Sequence, residues 1–100
     1  MIDRFLDRIR TKDYNCFAFV IEVWRELYGE DIQQRITSLR NFKRLERPVS
    51  PCFVLMQHLN HEPHVGIYID RRVLHLSTKG VEYQPLNVVS FFYQTIRFYQ

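Results

Sequence analysis

One hundred residues, 46% of them hydrophobic and 25% charged, with only 3 Gly and 4 Pro, have the balance of one folded domain spanning 1–100 and exclude a disordered chain. The 14 Lys and Arg exceed the 11 Asp and Glu by a modest net +3. Residues 1–8 carry charges throughout and lack the unbroken apolar run of a signal peptide, and no later stretch approaches a membrane span; synthesis in the cytoplasm is expected, with another carrier needed for any role outside the cell.

Taken in chain order, Ile2, Phe5, Leu6 and Ile9 recur at helical spacing and predict a short amphipathic first helix, packed on the core as a lid, before a turn at 11–13. The segment 16–28 is apolar at Cys16, Val20, Val23, Trp24 and Leu27 along one face and at Phe17, Ile21 and Tyr28 on another. A helix apolar around most of its circumference is a central, buried one. Asp13 or Asn15 can cap its start, and Gly29 supplies a left-handed stop. From 31 to about 45, Ile32, Ile36, Leu39 and Phe42 keep a helical period before Pro48 and Pro51, which predicts a third helix. Its densest basic stretch runs from Arg40 to Arg47. A solvated helix face explains that stretch better than a nucleic-acid surface, and attraction to an anionic polymer such as a cell wall fits equally well.

After Pro51 the pattern changes to short runs of β-forming residues at 52–56, 65–69, 73–77, 81–84 and 95–99. Helices followed by an antiparallel sheet make an α+β order. The apolar run Val88-Val89-Ser90-Phe91-Phe92-Tyr93 is expected to pack in the core rather than to dock a partner.

Strand parity relates the two best-placed histidines. His64, Gly66 and Tyr68 share one face, and Val73, His75 and Ser77 share one face of the next strand. A hairpin turning through Asp70-Arg71 pairs 66 with 75 and makes His64 and His75 diagonal neighbours; a four-residue loop sets them directly opposite. A thiol is a nucleophile when ionised, and both a helix N-terminus and an imidazolium favour its ionisation. Cys16 at a helix start therefore points to a nucleophile, with His64 as its base, His75 as the group that orients His64, and the Cys16 N–H as an oxyanion donor. Gly66 leaves room beside the histidines.

Two other readings of these residues stand beside that one. Cys52, His58, His61 and His64 form a histidine-rich cluster that could be a metal site, although a loop position and a single thiol suit zinc poorly. Cys16 and Cys52 could pair as a disulfide, but the lack of an export signal argues against it.

The run Tyr14-Asn15-Cys16-Phe17-Ala18-Phe19-Val20, followed by Trp24 and Gly29, then His64-Val65-Gly66-Ile67-Tyr68-Ile69 and Val73-Leu74-His75-Leu76-Ser77, resembles the NlpC-type cell-wall peptidases over roughly residues 13–86. The resemblance implies a papain-like fold with N-terminal helices on a small antiparallel sheet, and a Cys-His-His triad of Cys16, His64 and His75. It further implies cleavage of amide bonds in the peptide stems of bacterial peptidoglycan, with no metal or other cofactor, no nucleic acid and no membrane span. Relatives without export signals are often phage tail or tail-tip components, so a place in a virion is a second implication. The family's usual Asp-Cys-Ser-Gly becomes Asn15-Cys16-Phe17-Ala18 here, and its upstream tyrosine has Tyr14 as the only counterpart before Cys16. A CHAP-type amidase would keep the order Cys then His but end its triad on a carboxylate or amide, which Glu82 or Asn87 would supply. A catalytically idle module of a tail or other assembly, built on the same fold, is the alternative to an enzyme.

Overall fold

In the computed structural model, which describes every residue except Met1 and Thr37, the centre of the molecule is a six-stranded antiparallel sheet with a helix against each face. Helix α1 (Cys16–Tyr28) comes first. It is followed by β1 (Arg44–Leu45), β2 (Cys52–Gln57), β3 (His64–Ile69), β4 (Arg72–Ser77), β5 (Gly80–Pro85), helix α2 (Leu86–Phe92) and β6 (Thr95–Tyr99), in the spatial order β1-β6-β2-β3-β4-β5. The architecture is α+β.

Helix α1 has the predicted bounds. The Asn15 side chain accepts from the Ala18 N–H at 3.0 Å, and Gly29 ends the helix at φ 71°, where a side chain would be strained. Its buried residues Phe19, Val20, Val23 and Trp24 pack on Phe53 of β2, on Val65, Ile67 and Ile69 of β3 and on Leu74 and Leu76 of β4. At the middle of this layer Trp24 stacks on Phe53 with ring centres 4.3 Å apart, and Phe42 meets Phe53 from the other side at 4.7 Å.

The opposite face of the sheet carries a smaller core of Val54, Met56, Val73 and Val89, joined by the half-buried Leu86, Tyr93, Ile96 and Phe98. Helix α2 was not foreseen in the apolar run near residue 90. It packs through Leu86 and Val89, while Phe91 and Phe92 are exposed, so the expectation of core burial holds for only one face of the run.

Two predicted helices are absent among the described residues. Residues 3–5 form a single 3-10 turn in which Phe5 is buried, while Leu6 and Ile9 lie open to solvent, so the amphipathic lid does not form. So short a segment gains little from helical hydrogen bonds, and here the Arg8 guanidinium is drawn to Glu22 of α1 at 3.0 and 3.3 Å. The predicted helix at 31–45, within which Thr37 lies outside the described residues, is replaced by turns, a 3-10 turn at Leu39–Asn41 and strand β1. Ile32, Ile36 and Phe42 are still buried, which is why their spacing imitated a helix. The Ser38 hydroxyl accepts from the Arg40 N–H and starts a new turn, and Lys43 exchanges two 2.9 Å backbone bonds with Gln100, drawing the segment to the sheet edge. The arginines at 40, 44 and 47 are exposed on irregular chain and a short strand rather than on a helix.

The β3–β4 hairpin is the tight one: Ile69 pairs with Arg72, leaving Asp70 and Arg71 as a two-residue turn with φ of 51° and 71°. Positive φ at both positions is the pattern of a type I′ turn, which suits glycine far better than arginine. Arg71→Gly is expected to raise stability by about 0.5–1 kcal/mol, part of the gain being offset by the flexibility glycine adds to the unfolded chain. Urea unfolding checks this, and a loss of stability would show that Arg71 makes a contact worth more than its strain.

Candidate active site

The hairpin turn fixes the histidines. Continuing the β3–β4 register sets Gly66 opposite His75, so His64 and His75 are diagonal neighbours on one face, the two-residue-loop arrangement. A Cβ on Gly66 would lie 2.9 Å from the Leu74 carbonyl oxygen and 3.0 Å from the His75 Cβ, so glycine is what allows β4 this close at the site. His64 Nε2 and His75 Nδ1 are hydrogen-bonded at 2.9 Å, and the rings meet edge to face. Both residues are buried, at 9% and 3% exposure.

A third member was missed in the sequence. Gln84 Oε1 lies 3.0 Å from His75 Nε2, which extends the pair to a three-residue chain across β3, β4 and β5. Glu82 stands directly opposite His75 on β5, yet its carboxylate accepts from the Ser77 hydroxyl at 2.7 Å. Asn87 is an exposed residue of α2.

Burial dominates the electrostatics. Loss of water, reinforced by His75 and Arg10, pushes His64 down to about 4, and burial also lowers His75. Both rings are neutral at pH 7, the form in which His64 can accept a proton. An unfolded histidine titrates near 6.5. Between pH 6.5 and about 4 the unfolded chain therefore binds a proton that folded His64 refuses, so stability is full above pH 6.5, falls as the pH drops through this window and levels off below it. The expected loss is roughly 3 kcal/mol. Urea unfolding at pH 7 and pH 4.5 should show it, with a shallower decline in His64→Gln; equal declines would mean that other groups carry the acid lability.

Cys16 arrives from the other side of the sheet. The histidines project from the face that α2 covers, whereas α1 lies on the opposite face, with Cys16 buried at 4% exposure. What brings them to one region is the direction of α1. Tyr28, at its C-terminal end, is close enough to Asp70 in the β3–β4 turn for that carboxylate to help raise its hydroxyl. Thirteen helical residues and six strand residues both span roughly 20 Å. The N-terminus of α1 thus reaches the end of the sheet where β3 begins with His64. Tyr93, which follows α2, spans the gap: its ring lies parallel to that of His64 with centres 6.1 Å apart, and its hydroxyl is raised by burial, by Glu82 and by the nearby Cys16.

Among the described residues no hydrogen bond joins the Cys16 thiol to either histidine. The histidine pair is assembled, and Tyr93 is the residue that stands close both to His64 and to Cys16. Phe17 lines a groove with Asn15, Ile21, Gln33 and Ile36. Tyr14 donates its hydroxyl to Glu22, two turns along α1 from the thiol, so it takes no part at the Cys16 end. Beside His75 a cavity of about 240 Å³ opens between the β4–β5 turn and the end of α2, bounded by Lys79, Glu82, Gln84, Phe92 and Tyr93.

The other uses proposed for these residues find less support. Cys52 pairs with Tyr68, four residues along β3 from His64, so the Cys52–His58–His61–His64 set does not converge. Among the described residues no group of three or more His, Cys, Asp or Glu forms a metal cluster. Cys16 and Cys52 are free thiols. No described helix is long and apolar enough to cross a membrane. Comparison with protein-family models, with curated proteins and with solved structures finds no match to this chain.

Proposed function

We propose that the protein is a papain-like thiol hydrolase of the NlpC kind, cleaving amide bonds in peptidoglycan stem peptides. The observation that carries this reading is a hydrogen-bonded His64–His75 pair at the end of the sheet reached by a helix whose first residue is Cys16. In the proposed reaction the Cys16 sulfur attacks the amide carbon while its proton passes to Nδ1 of His64, the ring nitrogen that His75 leaves unoccupied. The helix leaves the N–H groups of Cys16 and Phe17 without an intrahelical acceptor, and these meet the developing oxyanion. Collapse breaks the C–N bond, and the departing amine takes the proton from His64. Water, deprotonated by His64, then cleaves the thioester and restores the thiol. His75 holds the His64 ring in place throughout.

A place in a carried particle such as a phage tail is part of the same proposal and rests on the resemblance alone. Purified protein with Cys16 reduced should release stem peptides from peptidoglycan, read as new amino groups or soluble peptide; absence of release sinks the enzyme reading for the isolated chain. A second reading, a catalytically idle module that braces an assembly, draws support from the near-complete burial of Cys16, from the absence of a thiol–histidine hydrogen bond, and from Phe91 at 87% and Phe92 at 59% exposure, aromatic surface suited to a partner.

A further inference from the structure

Strand β5 offers His75 two polar neighbours on one face: Glu82 directly opposite, and Gln84, which pairs with Val73 and is therefore diagonal. The carboxylate is held by Ser77, and His75 takes the neutral amide. We propose that Gln84 is a positioning residue that sets the tautomers of both histidines, so that the nitrogen His64 presents toward the thiol carries no proton.

The amide oxygen of Gln84 can only accept, so His75 Nε2 carries the hydrogen of the 3.0 Å bond. A neutral imidazole has one N–H, which leaves His75 Nδ1 bare. That nitrogen must then accept, so the 2.9 Å bond is donated by His64 Nε2. His64 has spent its one hydrogen there, and its Nδ1 keeps a free lone pair. Turning the Gln84 amide to present its NH₂ group reverses every step: His75 Nε2 accepts, His75 Nδ1–H donates, and the hydrogen of His64 moves to Nδ1, where it caps the base. A single amide orientation, one strand beyond the pair, thus decides whether His64 can accept a proton from Cys16. A neutral partner also suits two rings that burial keeps uncharged.

The catalytic consequence rests on the thiol-hydrolase reading; the tautomers do not, and the test separates the two. In full-length protein labelled with 15N in histidine, long-range proton–nitrogen correlations at pH 7 are expected to show His64 and His75 both as the Nε2–H tautomer. Gln84→Glu, which keeps an acceptor, should leave them so. Gln84→Lys, which offers only donors, should move His64 to Nδ1–H. Gln84→Met, similar in size and without a strong donor or acceptor, should give mixed tautomers and remains informative if the lysine variant does not fold. With a stem-peptide substrate, the lysine and methionine variants should lose about ten- to hundredfold in kcat with little change in KM, and the glutamate variant much less. An Nδ1–H tautomer of His64 in the wild type, or wild-type tautomers in Gln84→Met, would overturn the proposal. Tautomers as expected with no hydrolysis by the wild type would leave the proposal standing and remove the enzyme reading alone.

Discussion

Cys16→Ala is expected to reduce hydrolysis of stem peptides by at least about a thousandfold, the scale on which loss of a covalent nucleophile acts, while leaving the fold intact. The structure makes this a clean substitution. Cys16 is the first residue of α1, the cap is supplied by Asn15, and alanine is a good helix former, so only the sulfur is lost, from a nearly buried position. Removing one buried sulfur should cost about 1 kcal/mol. His64→Ala should abolish turnover as well, because it removes the proposed base itself, whereas His75→Ala should retain residual activity through a His64 that is present but less well held. Turnover and urea unfolding, measured together on all three variants, decide the matter. Equal turnover by wild type and Cys16→Ala would refute the mechanism, and a Cys16→Ala protein that fails to fold would assign the thiol to packing.

Phe53→Ala should produce the largest loss of stability, about 3–5 kcal/mol against the roughly 5–15 kcal/mol available to a domain of this size. Phe53 is 1% exposed and lies between Trp24 of α1 and Phe42 of the irregular segment before β1. Its removal opens a cavity where helix, sheet and the preceding segment meet. Trp24, the only tryptophan in the chain, is the natural reporter, since its ring stacks on Phe53 and its indole N–H donates to Glu30 at 2.9 Å. Urea unfolding followed by its fluorescence should show the shift, and a loss below about 1 kcal/mol would mean that the layer repacks around the gap.

Much of the structure near the site was legible because local signals and tertiary packing agree there. The apolar circumference of α1, the cap at Asn15 and the stop at Gly29 define the helix from sequence and again in the structure. The Asp70-Arg71 turn sets a register from which the His64–His75 diagonal follows by parity alone. Elsewhere long-range pairing overrode the local pattern. Residues 31–45 have a helical spacing of apolar side chains, but their described part forms turns and the edge strand β1, which pairs with β6. Parity also assigns His64 and Val65 to opposite faces, but which of the two faces α1 is settled only by the packed core. For Gln84 the signal existed, since residues 82 and 84 share a face of their strand. The choice between the carboxylate and the amide depended on Ser77 having already engaged Glu82, a matter of side-chain geometry with no trace in spacing.

The β3–β4 turn bears on how the site is assembled in time. His64, His75 and Gln84 are joined across sequence separations of 11 and 9 residues, through consecutive hairpins, so the polar chain can form as soon as those strands pair. Loops this short close rapidly, whereas bringing in Cys16 requires α1 to dock from far along the chain. The histidine–glutamine chain thus rests on local strand pairing, whereas the position of Cys16 rests on long-range packing of α1. A fluctuation that loosens α1 would withdraw the thiol while the histidines stay bonded to each other.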